Sequence, residues 1–259
     1  MDPILLTFFG FLVGILIGLT GVGGGATLAP LLLIFFQLEL IAVVAIDLAF
    51  SFITKSISII FHFRKKTIDW RVSKKLWAGS IPASLIILFF INTNPIFFSE
   101  IMMNVLCILI FISGMIMIFR DFINTSSYKY LNLFKFKETK NSFVTPIFGS
   151  LIGASVSATS VGAGAIGAAI LNILYPKRLN SYSLVGTDIV HAIPVTFLAG
   201  FTYFAFGNLD LSILGLLLTG SVPGVIIASN SIFNSPQNLI RMIIGINLIA
   251  SSVFLFYFD

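Results

Sequence analysis

Apolar residues in this chain do not alternate or keep to one helical face; they run in long blocks, over residues 4–36, 40–63, 76–91, 96–119, 143–175, 182–206, 211–232 and 239–258. A helix needs roughly 20 apolar residues to cross about 30 Å of hydrocarbon, and several blocks reach that length. The pattern predicts membrane-spanning helices. The longest polar connector is about residues 120–141, so no soluble domain is left between them. The first block lacks a basic leader and continues through glycine-rich sequence into further apolar residues, which marks it as structure rather than a cleaved signal.

Composition agrees with the pattern. Hydrophobic residues make up 58% of the 259 and charged residues only 10%, with a mean hydropathy of +1.06, a balance that suits lipid as the solvent. The net charge of +5 comes from bases in short loops beside the spans. It points to anionic lipid and the orientation rule, and not to nucleic acid. The single cysteine, Cys107, has no partner for a disulfide in this chain and reads as a small buried hydrophobe.

A repeat is written twice. Shifting the chain by 139 lays Gly10, Gly14, Thr20, Val22, Gly23 and Gly25 over Gly149, Gly153, Thr159, Val161, Gly162 and Gly164; shifting by 141 lays Asp47, Phe63, Asp69, Leu76, Gly79, Ser80 and Pro82 over Asp188, Phe204, Asp210, Leu217, Gly220, Ser221 and Pro223. Lysine and arginine near span ends collect on the cytoplasmic side. Six lie between Arg64 and Lys75 and five between Arg120 and Lys140, whereas the connector matching the first of these loops, residues 207–210, carries one acid and no base. Conversely, residues 37–39 have no base while their counterpart carries Lys177 and Arg178. The bases therefore segregate only if the copies are inverted, with both termini outside the cell and Lys55 alone within a span.

The expected fold class is all-α: a polytopic helical membrane protein of two inverted-topology repeats, residues 1–141 (with a cytoplasmic connector from about 120) and 142–259. Each repeat has a broken glycine-rich hairpin followed by three transmembrane helices. In the first hairpin about sixteen residues precede Gly21-Val22-Gly23-Gly24-Gly25 and about eleven follow it, so both arms are shorter than a crossing. The second bends at Thr159-Ser160-Val161-Gly162-Ala163-Gly164. The bends should meet near the membrane centre, where the N–H groups and positive dipole ends of the returning helices offer an anion site. Thr20, Gly21, Gly23, Gly24, Gly25, Thr159, Ser160, Gly162 and Gly164 are the candidate substrate-binding positions there. Gly10, Gly14 and Gly18 have instead the spacing of close helix packing.

Gly162-Ala163-Gly164-Ala165-Ile166-Gly167 spells G-x-G-x-x-G, but it lies in a membrane hairpin and not after a strand, so no dinucleotide site follows. No Walker lysine, H-E-x-x-H or paired Cys/His spacing occurs, so the sequence calls for no cofactor, metal or catalytic residue.

An Asp or Lys at a span centre costs about 2.5–3.5 kcal/mol on insertion scales, and three residues need a reason: Asp47, Lys55 and Asp188. Asp47, Ser51, Thr54, Lys55, Ser58 and His62 recur at helical spacing and form one polar stripe, as expected of a water path. Lys55 lies about 10 Å from the helix end at 1.5 Å per residue. It either snorkels or adds a cation to the anion site. Thr187 joins the candidate binding residues; Asp47, Asp188 and His191 are candidates for proton coupling or charge relay, with a hydrogen-bonded core role the other reading of His191. The partners called for are a small anion, the lipid bilayer and protons as coupling ion.

The stretch Thr159-Ser160-Val161-Gly162-Ala163-Gly164, then Tyr175-Pro176, then Val185-Gly186-Thr187-Asp188-Ile189-Val190-His191-Ala192-Ile193 resembles the sulfite exporter TauE/SafE family of permeases. So does the first half, in Gly21-Val22-Gly23-Gly24-Gly25 with Pro30, Asp47-Leu48 with Thr54-Lys55 and His62, and Asp69-Trp70. The resemblance implies transport of sulfite, sulfonates, thiosulfate or related anions across the bacterial plasma membrane, and the inverted repeats add the expectation that the two copies rock to expose the anion alternately to each side. One departure stands out: Gly186-Thr187-Asp188 is answered in the first copy by Ala45-Ile46-Asp47, without the hydroxyl. The rival readings are an anion channel, separated by saturable counterflow, and a membrane-embedded enzyme using Asp188 and His191.

Overall fold

The computed structural model describes residues 2–21, 24–131, 138–176, 178–231 and 237–258, and among these every regular element is a helix. α1 (Pro3–Thr20) starts on a capping Asp2, whose carboxylate accepts the Ile4 amide at 3.0 Å, and ends on Gly21 at φ 69°, the left-handed cap that glycine adopts without a Cβ penalty. The chain resumes as a π-helical turn (Gly24–Leu28) that runs into α2 (Ala29–Phe36). α3 (Leu40–Arg64), α4 (Trp70–Thr93) and α5 (Pro95–Leu131) complete the first half. The second half holds α6 (Glu138–Thr159), α7 (Ala165–Leu174), α8 (Ser181–Ala205), α9 (Leu211–Ser231) and α10 (Gln237–Phe258).

Seven helices among the described residues carry stretches long and apolar enough to cross a membrane: α1, α3, α4, α5, α8, α9 and α10. The surface is apolar, with Ile4, Phe143 and Tyr257 each about four-fifths exposed, while Asp47, Lys55, Asp188 and His191 are at most 3% exposed. Large outward apolar faces around a charged interior suit a protein solvated by lipid.

Three expectations need correcting. The arms of the first hairpin are unequal, not both short: α1 has 18 residues, about 27 Å of helix, while the return arm is the 13-residue run Gly24–Phe36. The fourth helix begins at Trp70 and not near Leu76, because Asp69 caps it by accepting the Arg71 and Val72 amides at 3.0 and 3.2 Å; Arg71, Lys74 and Lys75 are thus helical. The connector 120–141 is not a loop throughout, since α5 continues to Leu131 and α6 begins at Glu138.

Helices of one half pack chiefly on helices of the other: α1 on α9, α4 on α6, α3 on α8, and α5 on α10. Glycine permits the closest approaches. A Cβ on Gly10 would meet the Leu217 carbonyl, one on Gly14 would lie 2.7 Å from Ser221 Cα, and one on Gly18 would lie 2.7 Å from Ala228 Cβ, so α1 and α9 run parallel. The counterpart contact repeats this residue for residue, with Gly149 against Leu76 and Gly153 against Ser80. By contrast, α8 runs antiparallel to α3, since Gly186 faces His62 and Thr67 while Gly200 faces Ala49. α10 is likewise antiparallel to α5, with Gly114 beside Ile249 and Ser252 donating to the Cys107 carbonyl at 2.8 Å. The small-residue stripe Gly10-Gly14-Gly18 serves packing, as its spacing predicts.

Candidate functional site

The antiparallel pair α3 and α8 carries the buried ionisable groups, and the two bends close on them from opposite halves. A Cβ on Gly24 would fall on Ser51 Oγ and 3.2 Å from Asp47 Oδ1; one on Gly25 would fall on the Ser160 carbonyl and 3.0 Å from the Val161 nitrogen. The bends therefore touch each other as well as α3. Ser160 takes a left-handed φ of 61° and donates its hydroxyl to Asp47 Oδ2 at 2.5 Å, so Asp47 bridges the first bend and the second. Asp188 is placed similarly in the other half: a Cβ on Gly167, in the first turn of α7, would meet Asp188 Oδ1 and lie 3.2 Å from Asp188 Cγ.

Both carboxylates thus stand beside the glycine starts of the returning helices. The first amides of α7, those of Ala165 and Ile166, have no acceptor within their own helix. Negative charge is favoured at such a start by the helix dipole. Lys55 is buried in α3 within electrostatic reach of Asp188 and of Asp47, and it also acts on His191; it faces inward and does not snorkel. Neither ring nitrogen of His191 finds a hydrogen-bond partner among the described residues. The whole polar stripe Asp47, Ser51, Thr54, Lys55, Ser58 and His62 is buried.

Several candidate ligands are engaged within the protein. Thr20 and Thr159 donate back to the carbonyls of Leu16 and Ser155 at 2.7 and 2.9 Å, the local bond that threonine commonly makes within a helix, and Thr159 also accepts the Val161 amide of the bend at 3.3 Å. Thr187 is not at the bends; its hydroxyl accepts the Asp69 amide at 3.0 Å. Gly21 packs on Val185 and Ile189. Gly162 and Gly164 supply the turn, with φ of 136° and 127°. Gly23 lies outside the described residues, as do Val22 and Lys177.

Sequence reasoning missed Ser51 and Gly167 as neighbours of the carboxylates, and it missed a polar cluster on the loop before α4. There Arg178 forks onto Asp69, Nε to Oδ2 at 2.5 Å and Nη2 to Oδ1 at 3.0 Å. His62 Nδ1 pairs with Thr67 Oγ1 at 2.8 Å. Burial would raise the Asp69 carboxyl, but the hydrogen bond and charge of Arg178, with the Val72 and Arg71 amides, outweigh it and hold the group below its ordinary value. The one available signal was a lone acid within a loop of six bases.

A family model described as sulfite exporter TauE/SafE matches residues 6–255. A protein of Bacillus subtilis (strain 168) described as "Probable membrane transporter protein YjnA" is 33% identical over 229 residues, covering 87% of this chain and 88% of that protein. No solved structure matches.

Proposed function

We propose that this chain, which belongs to the sulfite exporter TauE/SafE family and is a multi-pass membrane transporter rather than an enzyme, moves a small sulfur oxoanion such as sulfite, a sulfonate or thiosulfate together with protons. The observation that carries the reading is the placement of Asp47 and Asp188 beside the helix starts that would otherwise attract an anion, with Lys55 in reach of both.

Two buried carboxylates against one ammonium leave the centre negative when all three are ionised. Bringing in an anion adds repulsion that a low-dielectric interior screens poorly. Uptake of a proton by Asp47 or Asp188 removes that repulsion and frees a helix start for the substrate. Lys55, Ser160 and the bend glycines then hold the oxoanion, and His191, beside Lys55, relays the proton.

Alternation of access is supported by the cross-packing. The contacts of α1 with α9 and of α4 with α6 are exchanged by swapping the halves, and counterpart helices α3 and α8, and α5 and α10, run antiparallel. We read residues 1–141 and 142–259 as inverted repeats that rock about the shared centre, both termini facing out of the cell in a plasma membrane. In reconstituted vesicles, Lys55→Ala and Asp188→Asn should each abolish uptake of labelled sulfite driven by a pH gradient while eluting as folded protein. Wild-type uptake from either variant sinks the assignment, and flux without saturable counterflow would make the protein a channel.

A further inference from the structure

The two ends of the molecule are built alike in backbone and differently in charge. Asp69 caps α4 and its counterpart Asp210 caps α9, accepting the Ser212 and Ile213 amides at 2.8 and 3.2 Å. The preceding turns match as well: Lys66 and Gly207 are both left-handed, and the Thr67 and Asn208 amides bond the carbonyls of His62 and Tyr203, each at 3.1 Å. Among the described residues, only the first of these loops is fastened to the other half by polar side chains. Arg178 grips the Asp69 carboxylate, Thr187 accepts the Asp69 amide, and Thr67 lies against Gly186. At the opposite end the matching connector, residues 37–39, has no base to play the part of Arg178, and Thr187 becomes Ile46. Exposed Glu39 and Asp210 carry like charges, and Ile46 has no hydroxyl to accept an amide.

The fastened loop also borders a cavity of about 420 Å³ lined by Lys66, Asp69, Arg71, Arg178 and Ser183 among others. Among the described residues it is lined by three cations and one acid, and the planar guanidinium of Arg178 suits an oxoanion as well as it suits a carboxylate. We propose that this cavity is a vestibular anion site in which an oxoanion displaces Asp69 from Arg178, so that the Asp69–Arg178 pair is a one-sided latch released by anion binding. The proposal rests on the transport reading for its substrate class. The latch itself depends only on the contacts above.

The test uses the detergent-solubilised full chain in a Cys107→Ser background with one reporter, Val185→Cys. Val185 is 3% exposed, packs on Ile189 and Gly21, and precedes the Gly186 on which Thr67 rests. Asp69→Asn keeps a cap acceptor and weakens the ion pair, so it should raise the maleimide labelling rate roughly fivefold or more. Sulfate should accelerate labelling of the parent beyond chloride at matched ionic strength, and Arg178→Gln should abolish that difference. Equal labelling of the parent and Asp69→Asn overturns the latch; an equal response to sulfate and chloride in the parent overturns the anion site. Labelling that behaves as stated in a chain that moves no sulfur oxoanion would refute the transport reading and leave the latch standing.

Discussion

Removing the hydroxyl of Ser160 tests the join between the two halves at its most buried point. Asp47 is fully buried and accepts Ser160 Oγ at 2.5 Å, and its other oxygen has no hydrogen-bond partner among the described residues. A hydrogen bond to a charged group contributes about 1.5–3 kcal/mol, against about 0.6 kcal/mol for an average interhelical hydrogen bond in a membrane protein. Ser160→Ala should therefore destabilise by about 1.5–3 kcal/mol, and by only about 0.6 kcal/mol in an Asp47→Asn background, where the acceptor is uncharged.

Ser160→Gly loses the same bond but relieves a left-handed φ of 61°. Such a φ costs an L-residue about 1–2 kcal/mol, so the glycine variant should be the more stable of the two by about 1 kcal/mol. Unfolding by titration with SDS in mixed micelles measures all four variants, and the background comparison isolates the pairwise term. A loss from Ser160→Ala that is equal in both backgrounds refutes the charge-assisted bond. A glycine variant less stable than the alanine variant refutes the strain argument.

Two further outcomes follow from particular contacts. Gly25→Ala should cost about 1–3 kcal/mol and disable transport, because backbone atoms of Ser160 and Val161 must retreat from the new methyl; Gly215→Ala, where nothing lies within 4 Å, should be neutral or slightly stabilising by the same unfolding titration. Asp69 is held below its ordinary carboxyl value of 3.8, so its contribution is present above that value and is lost only as pH falls through the lower folded value. The ratio of reporter labelling in Asp69→Asn to that in the parent, which cancels the titration of the thiol itself, should stay constant across neutral and mildly acidic pH and fall towards one below 3.8; a fall near neutrality would contradict the pairing.

The membrane class and the helices were legible because lipid demands long apolar runs, and the bends were legible because glycine is hard to disguise. The stripe from Asp47 to His62 was legible as one face for a similar reason: helical spacing decides it. The aim of individual hydroxyls was not, since Thr20 and Thr159 choose between a distant ligand and their own helix by a rotamer that sequence does not record. Nor were cross-half partners visible. Ser160 meets Asp47 over 113 residues and Arg178 meets Asp69 over 109, and no local rule links positions so far apart. The missing hydroxyl at Ile46 was seen in the sequence as an asymmetry of the binding centre. In the fold, its counterpart Thr187 fastens a loop.

Because α1 lies on α9 and α4 on α6, a ribosome that has released only the first half has made helices whose glycine grooves are still empty. Each half keeps its main packing faces uncovered until the other is made, and assembly must wait for the last helices to be inserted. Residues 1–141 and 142–259 expressed together as separate chains should give a working pair, while either fragment made alone should be degraded.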